Sequence, residues 1–524
     1  MGRVFDMKSS KGKIIIRSTD VQKIISSYQF STDTRTILEN EKLIPSGVLN
    51  RLHTAYPHHS MISTSSEFIF SEKKQYAGLK GFRAIVEILQ ENGDDIGYII
   101  ERELFIRVYR FLATNHVLNA INWQNFTDDS IFQLVFPQPG MMKPEIVKLY
   151  TDAKNEADRK RIVDDYIEKT NPHDGKQKLN KPCFENQEGL LEIVEGGQHK
   201  YPQCHLVFDK TTQNCFAFCT YCFRHAQVRG DEDMFIQKDV NQVHEYLKRH
   251  KEITDVLITG GDAGYMPYER LKQYVLPLIE DVDLSHIKTL RLGSRALTFH
   301  PELILSYEYS KILNLFKRMI DNGIQVAWMT HFSTPSEVLN ISTIAAIRRL
   351  RKNGVVVKSQ SPVMNHISIF TNKDGGIDVD KSAQNWIDLG NIFAMLTVGF
   401  HSMYCARPTG EHHYFTVPLA DLNKVFNKVY RSLPSISRPS RYITMTSSAG
   451  KTSLLGVAEI NGQKVFSLKF NEARNMEWMD KVYLAKYDEK ENTIENLEPF
   501  DTEKYFYEEE LVNLEKKLEE NLAN

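Results

Sequence analysis

His205-Leu206-Val207-Phe208, followed shortly by Asn214-Cys215-Phe216-Ala217-Phe218-Cys219-Thr220-Tyr221-Cys222-Phe223-Arg224, is the stretch that decides how this chain is read. A short apolar, β-prone run leads directly into three cysteines spaced C-x3-C-x2-C. The same rhythm, an apolar run and then a segment with helical spacing, repeats from about Gln203 to Tyr404. The strand candidates are His205–Phe208, Asp255–Thr259, Thr289–Leu292, Gln325–Thr330, Val355–Ser359 and Ile392–Val398. Between them lie amphipathic segments such as Lys311–Asn322, closed by Gly323, and Ser336–Asn353, closed by Gly354; a glycine just past a helix is the expected stop. Repeated βα units predict an α/β fold with parallel strands and right-handed crossovers. Functional-looking residues recur at the strand C-terminal ends, which favours a barrel or partial barrel over a doubly wound sheet.

Outside this core the pattern changes. Residues 1–140 are expected to form a mixed α+β extension of unknown role. Residues 141–200 hold a charged helical segment, Glu145–Thr170, and a linker, Asn171–Pro182. The core occupies 201–425. Residues 426–524 are expected to form a small α+β region, with a helix over Leu422–Leu433 leading in, two or three strands within Gly456–Tyr487 and a charged helix over Glu503–Asn521.

With 524 residues the chain is long enough for a large core. Its formal net charge of −2 argues against a general nucleic-acid binder. Six cysteines are too few for a disulfide scaffold, and three in one short segment point to a reducing compartment and a metal or redox role. No apolar run approaches the roughly 18 residues of a spanning helix. The N-terminal segment shows no signal-peptide pattern, and Asp6 stands where a myristoylation signal needs Ser or Thr. The expected location is therefore cytoplasmic, without membrane attachment.

Thiolates at C-x3-C-x2-C spacing can hold three irons of one [4Fe-4S] cube and leave the fourth without a protein ligand. A structural zinc would need a fourth ligand, often from a second C-x2-C pair, and none exists here. Three buried thiols on a loop are the plainer alternative. Gly260-Gly261-Asp262 ends the second strand, where glycines would allow close backbone approach. Near the C-terminus, Met445-Thr446-Ser447-Ser448-Ala449-Gly450-Lys451-Thr452 invites a phosphate-loop reading, but Met445 replaces that motif's first glycine. A lysine on a small-residue loop can instead form a Schiff base with pyridoxal phosphate.

The cysteine run resembles the radical S-adenosylmethionine (SAM) superfamily, whose members have full or partial (βα)6 barrels. His199-Lys200-Tyr201-Pro202, Leu257 to Ala263, Leu292-Gly293-Ser294-Arg295, Thr330-His331-Phe332, Gln360-Ser361 and Gly450-Lys451-Thr452 together resemble the lysine 2,3-aminomutase family, over about residues 199 to 455. The resemblance implies that Cys215, Cys219 and Cys222 ligate the cluster and that Lys451 holds pyridoxal 5'-phosphate. It implies that Arg224 binds the substrate α-carboxylate, a planar group suited to a guanidinium fork. Gly260, Gly261, Asp262, Ser294, Arg295, His331 and Gln360 fall at SAM-site positions. Lys200 stands where the family has an arginine near the cofactor phosphate. A small amino acid as substrate and a reducing partner such as flavodoxin or ferredoxin follow from the same resemblance, which leaves a homo-oligomer open.

The chain also departs from the family. Two aspartates that would meet a lysine side chain are replaced by Ala406 and Thr444, and no cysteine follows Cys405 to build the family's structural zinc cluster. Burying an unpaired ammonium costs several kcal/mol, so the expected substrate is an amino acid other than lysine. Arg407 could meet an acidic side chain or sit on an exposed loop. The pair His412-His413 lacks a nearby third ligand. The expected reaction is a 1,2-shift of an amino group, an isomerase activity. The alternatives are modification of a lysine in a protein partner, with residues 1–140 as a docking platform, and a binding protein without mutase activity.

Overall fold

The computed structural model describes residues 16–28, 30–59, 70, 74–170, 184–185, 191–192, 194–230 and 235–523. Its largest element is an eleven-stranded mixed sheet in an α/β chain. Numbered in chain order, its strands are β1 (Gly197–Tyr201), β2 (Cys204–Phe208), β3 (Asp255–Thr259), β4 (Thr289–Gly293), β5 (Gln325–Thr330), β6 (Val356–Val363), β7 (Gly399–Cys405), β8 (Ile443–Thr446), β9 (Gly450–Ile460), β10 (Gln463–Ala473) and β11 (Val482–Lys486). Spatial order follows chain order from one edge to the other, with no reversal. Strands β2 to β8 are parallel, β1 is antiparallel to β2 at one edge, and the pairings from β8 through β11 are antiparallel at the other.

Crossovers of one hand that always advance in the same direction place their helices on a single face of the sheet. The strands record this in alternation. Val256, Ile258, Leu290 and Leu292 are fully buried, while Leu257 and Arg291 between them line a cavity on the other face. The first strand of the sheet meets the ninth. Lys200 on β1 donates to the carbonyl of Ser447 just before β9, and the Lys451 ammonium on β9 lies 4.9 Å from the Tyr201 ring centre. A flat sheet would hold β1 and β9 roughly 40 Å apart at the normal strand spacing, so this sheet is curled around the cavity.

Four of the six core strand candidates coincide with observed strands to within a residue, and Val355–Ser359 is the start of the longer β6. The sixth, Ile392–Val398, needs correction. It is the last part of the helix Val379–Leu396, and the true sixth parallel strand is β7. Ile392, Phe393 and Leu396 bury one helical face, and a short apolar run does not by itself distinguish that face from a buried strand. The helix stops at Thr397, whose φ is 57°. The expected stops Gly323 and Gly354 do follow helices Tyr307–Asp321 and Ile341–Lys352, both in left-handed backbone.

Glu145–Thr170 is two helices, Pro144–Thr151 and Glu156–Thr170; the linker Asn171–Pro182 lies outside the described residues. Leu422–Leu433 corresponds to the helix Leu419–Ser432, with Leu433 just past its end, and the terminal helix spans Glu508–Ala523. Among the described residues, the first 140 contribute mainly helices, with one short antiparallel pair, Gln75–Ala77 against Leu112–Thr114. Phe82, Phe111, Phe132 and Phe136 stack into their core, with ring centres 4.7 to 5.6 Å apart for three of the pairs. Among the described residues no helix is long and apolar enough to cross a membrane.

Candidate active site

The three cysteines occupy the loop that leaves β2, at the C-terminal edge of the parallel strands. The N-terminal region holds this loop through its backbone. The amide of Phe218 donates to Leu112 O at 2.8 Å and that of Thr220 to Leu134 O at 2.9 Å. The Thr220 hydroxyl donates to Gln133 O at 2.8 Å, and the Gln75 side-chain amide to Phe216 O at 3.0 Å. From the other side the glycine turn after β3 presses in. A Cβ on Gly261 would fall 2.7 Å from Asn214 O and 3.0 Å from Cys215 Sγ. Tyr265 stacks on Phe216, ring centres 4.2 Å apart, and donates to Cys215 O at 3.3 Å.

Asp262 and Arg295 complete this bracket. Asp262 accepts from the amides of Gly264 at 2.8 Å and Arg295 at 2.9 Å. Burial pushes its carboxyl up to about 6 against the pull of hydrogen bonds from Ser294, Gly264 and Arg295. The Arg295 guanidinium pairs with buried Glu337, donates to Tyr221 Oη at 2.9 Å and reaches Cys219 Sγ at 3.2 Å. The chemistry of this donor set fits an iron–sulfur cube: three thiols on one loop, each at its own point, with a guanidinium beside one of them. Burial, reinforced by the neighbouring thiols, pushes Cys222 up to about 12 and holds Cys215 well above its usual range; in Cys219 burial wins over Arg295. A bound cationic centre acts in the opposite sense and favours thiolates.

Among the described residues, the group whose ligating atoms all fall within 4.8 Å is a different one, His199, His250 and Glu252. Both His199 ring nitrogens are engaged there, with Tyr246 Oη at 2.8 Å and Pro202 O at 2.9 Å. His412 and His413 gain no third ligand; His413 faces Glu411 at 3.6 Å.

A cavity of about 650 Å³ opens beside the cysteine loop. Arg224, Lys200, His331, Gln360 and Lys451 all line it, so residues spread over about 250 positions meet at one space. Gly260, Gly261, Asp262, Ser294 and Arg295 do not contribute to its wall; Gly261 and Arg295 lie against the cysteine loop instead. Lys451 is the second residue of β9 rather than a loop residue. It is ion-paired with Glu472 at 2.5 Å, directly opposite on β10, and Arg441 holds the other oxygen of that carboxylate at 2.8 Å. Burial opposes the Lys451 charge, but Tyr404, Tyr201 and Glu472 outweigh it and hold the ammonium above its usual range. Burial likewise opposes the Glu472 charge, and Lys451 and Arg441 overcome it to hold the carboxyl at about 2. Lys200 is buried beside the Ser447 carbonyl, and burial, with the charges of Arg474 and Arg407, pushes its ammonium well down. Two buried lysines, Lys451 and Lys200, with the Ser447-Ser448 turn form a donor set that fits a phosphorylated aldehyde cofactor.

Arg224 and Arg407 both lie against Phe223, at 5.2 and 5.6 Å from its ring centre. Arg407 is a cavity residue, not an exposed one. Burial pushes the Arg224 guanidinium down to about 10, with Arg407 adding to the effect; burial also lowers Arg407. His331 is driven to about 3 by burial, then by Arg295 and Arg224, and is neutral. The positions that carry aspartates in the resembled family offer no charge: Ala406 is apolar, and the Thr444 hydroxyl is engaged by Tyr442 O at 2.9 Å and Asn471 at 3.0 Å.

No family model matches the chain. A protein of Aquifex aeolicus provisionally named L-lysine 2,3-aminomutase is 27% identical over 297 residues, covering 55% of this chain and 74% of that protein. The L-lysine 2,3-aminomutase of Clostridium subterminale is 27% identical over 195 residues, 36% of this chain and 43% of that enzyme. The glutamate 2,3-aminomutase of Clostridioides difficile is 28% identical over 170 residues, 32% and 37% of the respective chains. Against the last two, this chain spans less than half of the relative's length. With its cysteine run, glycine turn and cavity lysine, the chain is similar to proteins named lysine 2,3-aminomutase at 25 to 28% identity, consistent with a divergent member of that radical SAM family.

Proposed function

We propose that this protein is a radical SAM, pyridoxal-phosphate-dependent 2,3-aminomutase acting on an amino acid other than lysine. The observation that carries the reading is the meeting of Arg224 and Lys451 in one cavity beside the cysteine loop. The one-way strand order and the curl of the sheet support a partial (βα)6 barrel. Relatives named for lysine and for glutamate support the reaction class without fixing the side chain.

In this reading Cys215, Cys219 and Cys222 hold the cluster, and Gly260, Gly261, Asp262, Ser294, Arg295, His331 and Gln360 surround SAM. Lys451 anchors the pyridoxal group, and Lys200 with the Ser447-Ser448 turn receives its phosphate. When bound, these cofactors supply a carbon-centred radical and an electron-delocalising ring. The chain's own part is positional. Arg224 fixes the α-carboxylate, neutral His331 adds no competing charge, and the curled sheet keeps water from the reacting carbons. Glu472 keeps the Lys451 ammonium charged until the amine is needed as a nucleophile. An electron donor such as flavodoxin or ferredoxin completes the system. The bracing of the cysteine loop by Gln75, Leu112 and Leu134 gives the N-terminal region a role at the site itself, which disfavours its reading as a separate docking platform.

Anaerobic reconstitution with iron, sulfide, SAM and a reductant is expected to yield 5′-deoxyadenosine in the presence of a substrate amino acid. Absence of that product across the common amino acids would remove the radical assignment. Lys451→Ala is expected to abolish the visible absorption of bound pyridoxal phosphate, and an unchanged spectrum would count against the cofactor.

A further inference from the structure

We infer that the substrate is an α-amino acid carrying a second carboxylate, and that Arg407 receives that side-chain carboxylate while Arg224 holds the first. The inference rests on the aminomutase reading and names the substrate class of the same cavity. Five cationic side chains line the space: Lys200, Arg224, Arg291, Arg407 and Lys451. Three have partners. Arg291 is clamped by Asp255, Lys451 by Glu472, and Lys200 donates to a backbone carbonyl. Arg224 and Arg407 have no carboxylate within 4.0 Å among the described residues; each rests on aromatic rings. Two guanidinium groups sharing Phe223 and facing the same cavity repel one another and have lost much of their water. Such an arrangement is stabilised by a ligand that brings two negative groups a few carbons apart. Glu495, the acid whose charge reaches Arg407, is occupied at one oxygen by the Ser448 amide at 3.2 Å. A substrate with an ammonium at its far end would add another cation beside Arg407, and Ala406 and Thr444 offer nothing to offset it. A neutral side chain would leave Arg407 with only the more distant charge of Glu495.

The competing use for Arg407 is the cofactor phosphate, since its charge also bears on Lys200 and Tyr201. One experiment separates the two. The full-length protein loaded with pyridoxal phosphate is titrated with L-glutamate, L-aspartate, L-lysine and L-norvaline, and the change in the bound cofactor's visible spectrum is followed. The acidic amino acids are expected to perturb the spectrum at concentrations at least about thirtyfold lower than the other two. Arg407→Met is expected to erase that gap while retaining the cofactor. Arg407→Lys, which keeps the charge without the fork, is expected to give an intermediate gap and guards against a folding failure of the first variant. Equal response to lysine or norvaline overturns the inference and leaves the aminomutase reading intact. Loss of cofactor from both variants assigns Arg407 to the phosphate and also overturns it. No response to any amino acid by a cofactor-loaded protein overturns both readings.

Discussion

Lys451 and Glu472 form a pair whose pH behaviour can be worked out by sign. The lysine is raised above its ordinary 10.5, so its share of stability is complete below that value and is lost as pH rises through the raised one. The glutamate is lowered from 4.5 to about 2, so its share is complete above 4.5 and disappears as pH falls through about 2. Across the neutral range the pair is intact, and the amine is stored as a cation. Glu472→Gln is expected to move the pH midpoint for uptake of pyridoxal phosphate down by about one unit, with faster uptake at neutral pH. A midpoint that stays in place would show that the carboxylate does not control the amine. Glu472 could have been found in the sequence. Asn461-Gly462 is a two-residue hairpin signal, and counting outward from it sets residue 472 opposite residue 451, as observed. Two bulges, between Lys451 and Thr452 and between Leu454 and Gly456, shift the register and restore it.

Among elements, the turn after β3 and the loop after β2 have shapes that depend on each other. Gly261→Ala would place a methyl group 2.7 Å from the Asn214 carbonyl oxygen, against backbone that cannot swing aside. An overpacking cost of about 1–3 kcal/mol is expected, with iron content after reconstitution falling by at least about half while far-ultraviolet circular dichroism is retained. Full iron loading in that variant would mean the two elements are independent. The parallel strands were legible because their apolar runs are bounded by glycines and polar turns. Ile392–Val398 was not, because a buried helix face and a buried strand share the same composition. The cysteine run stood out by spacing and chemistry, and Arg224 and Lys451 through the resemblance to the aminomutase family. The acceptors Leu112, Gln133 and Leu134 did not, because they act through backbone carbonyls that any residue supplies.

The whole molecule is bound together around the cavity. Tyr109 and Tyr166 both donate to Glu411 Oε1, at 2.9 and 2.6 Å, joining the N-terminal helices to the segment after β7. A chain lacking residues 1–140 would leave the amides of Phe218 and Thr220 without acceptors, at about 1–3 kcal/mol for each group that stays buried. It would also bare the side of the loop that the N-terminal region covers. Such a truncated chain is expected to bind little iron, measured by metal content, and undiminished binding would detach the N-terminal region from the site. The grip on the cysteine loop also has a consequence in time. Gln75, Leu112 and Leu134 leave the ribosome before the cysteines do, whereas Lys451 follows Cys222 by roughly 10–50 s of synthesis. The supports of the cysteine loop can therefore take shape on a nascent chain that does not yet carry Lys451, so under the proposed function iron would be taken up before pyridoxal phosphate.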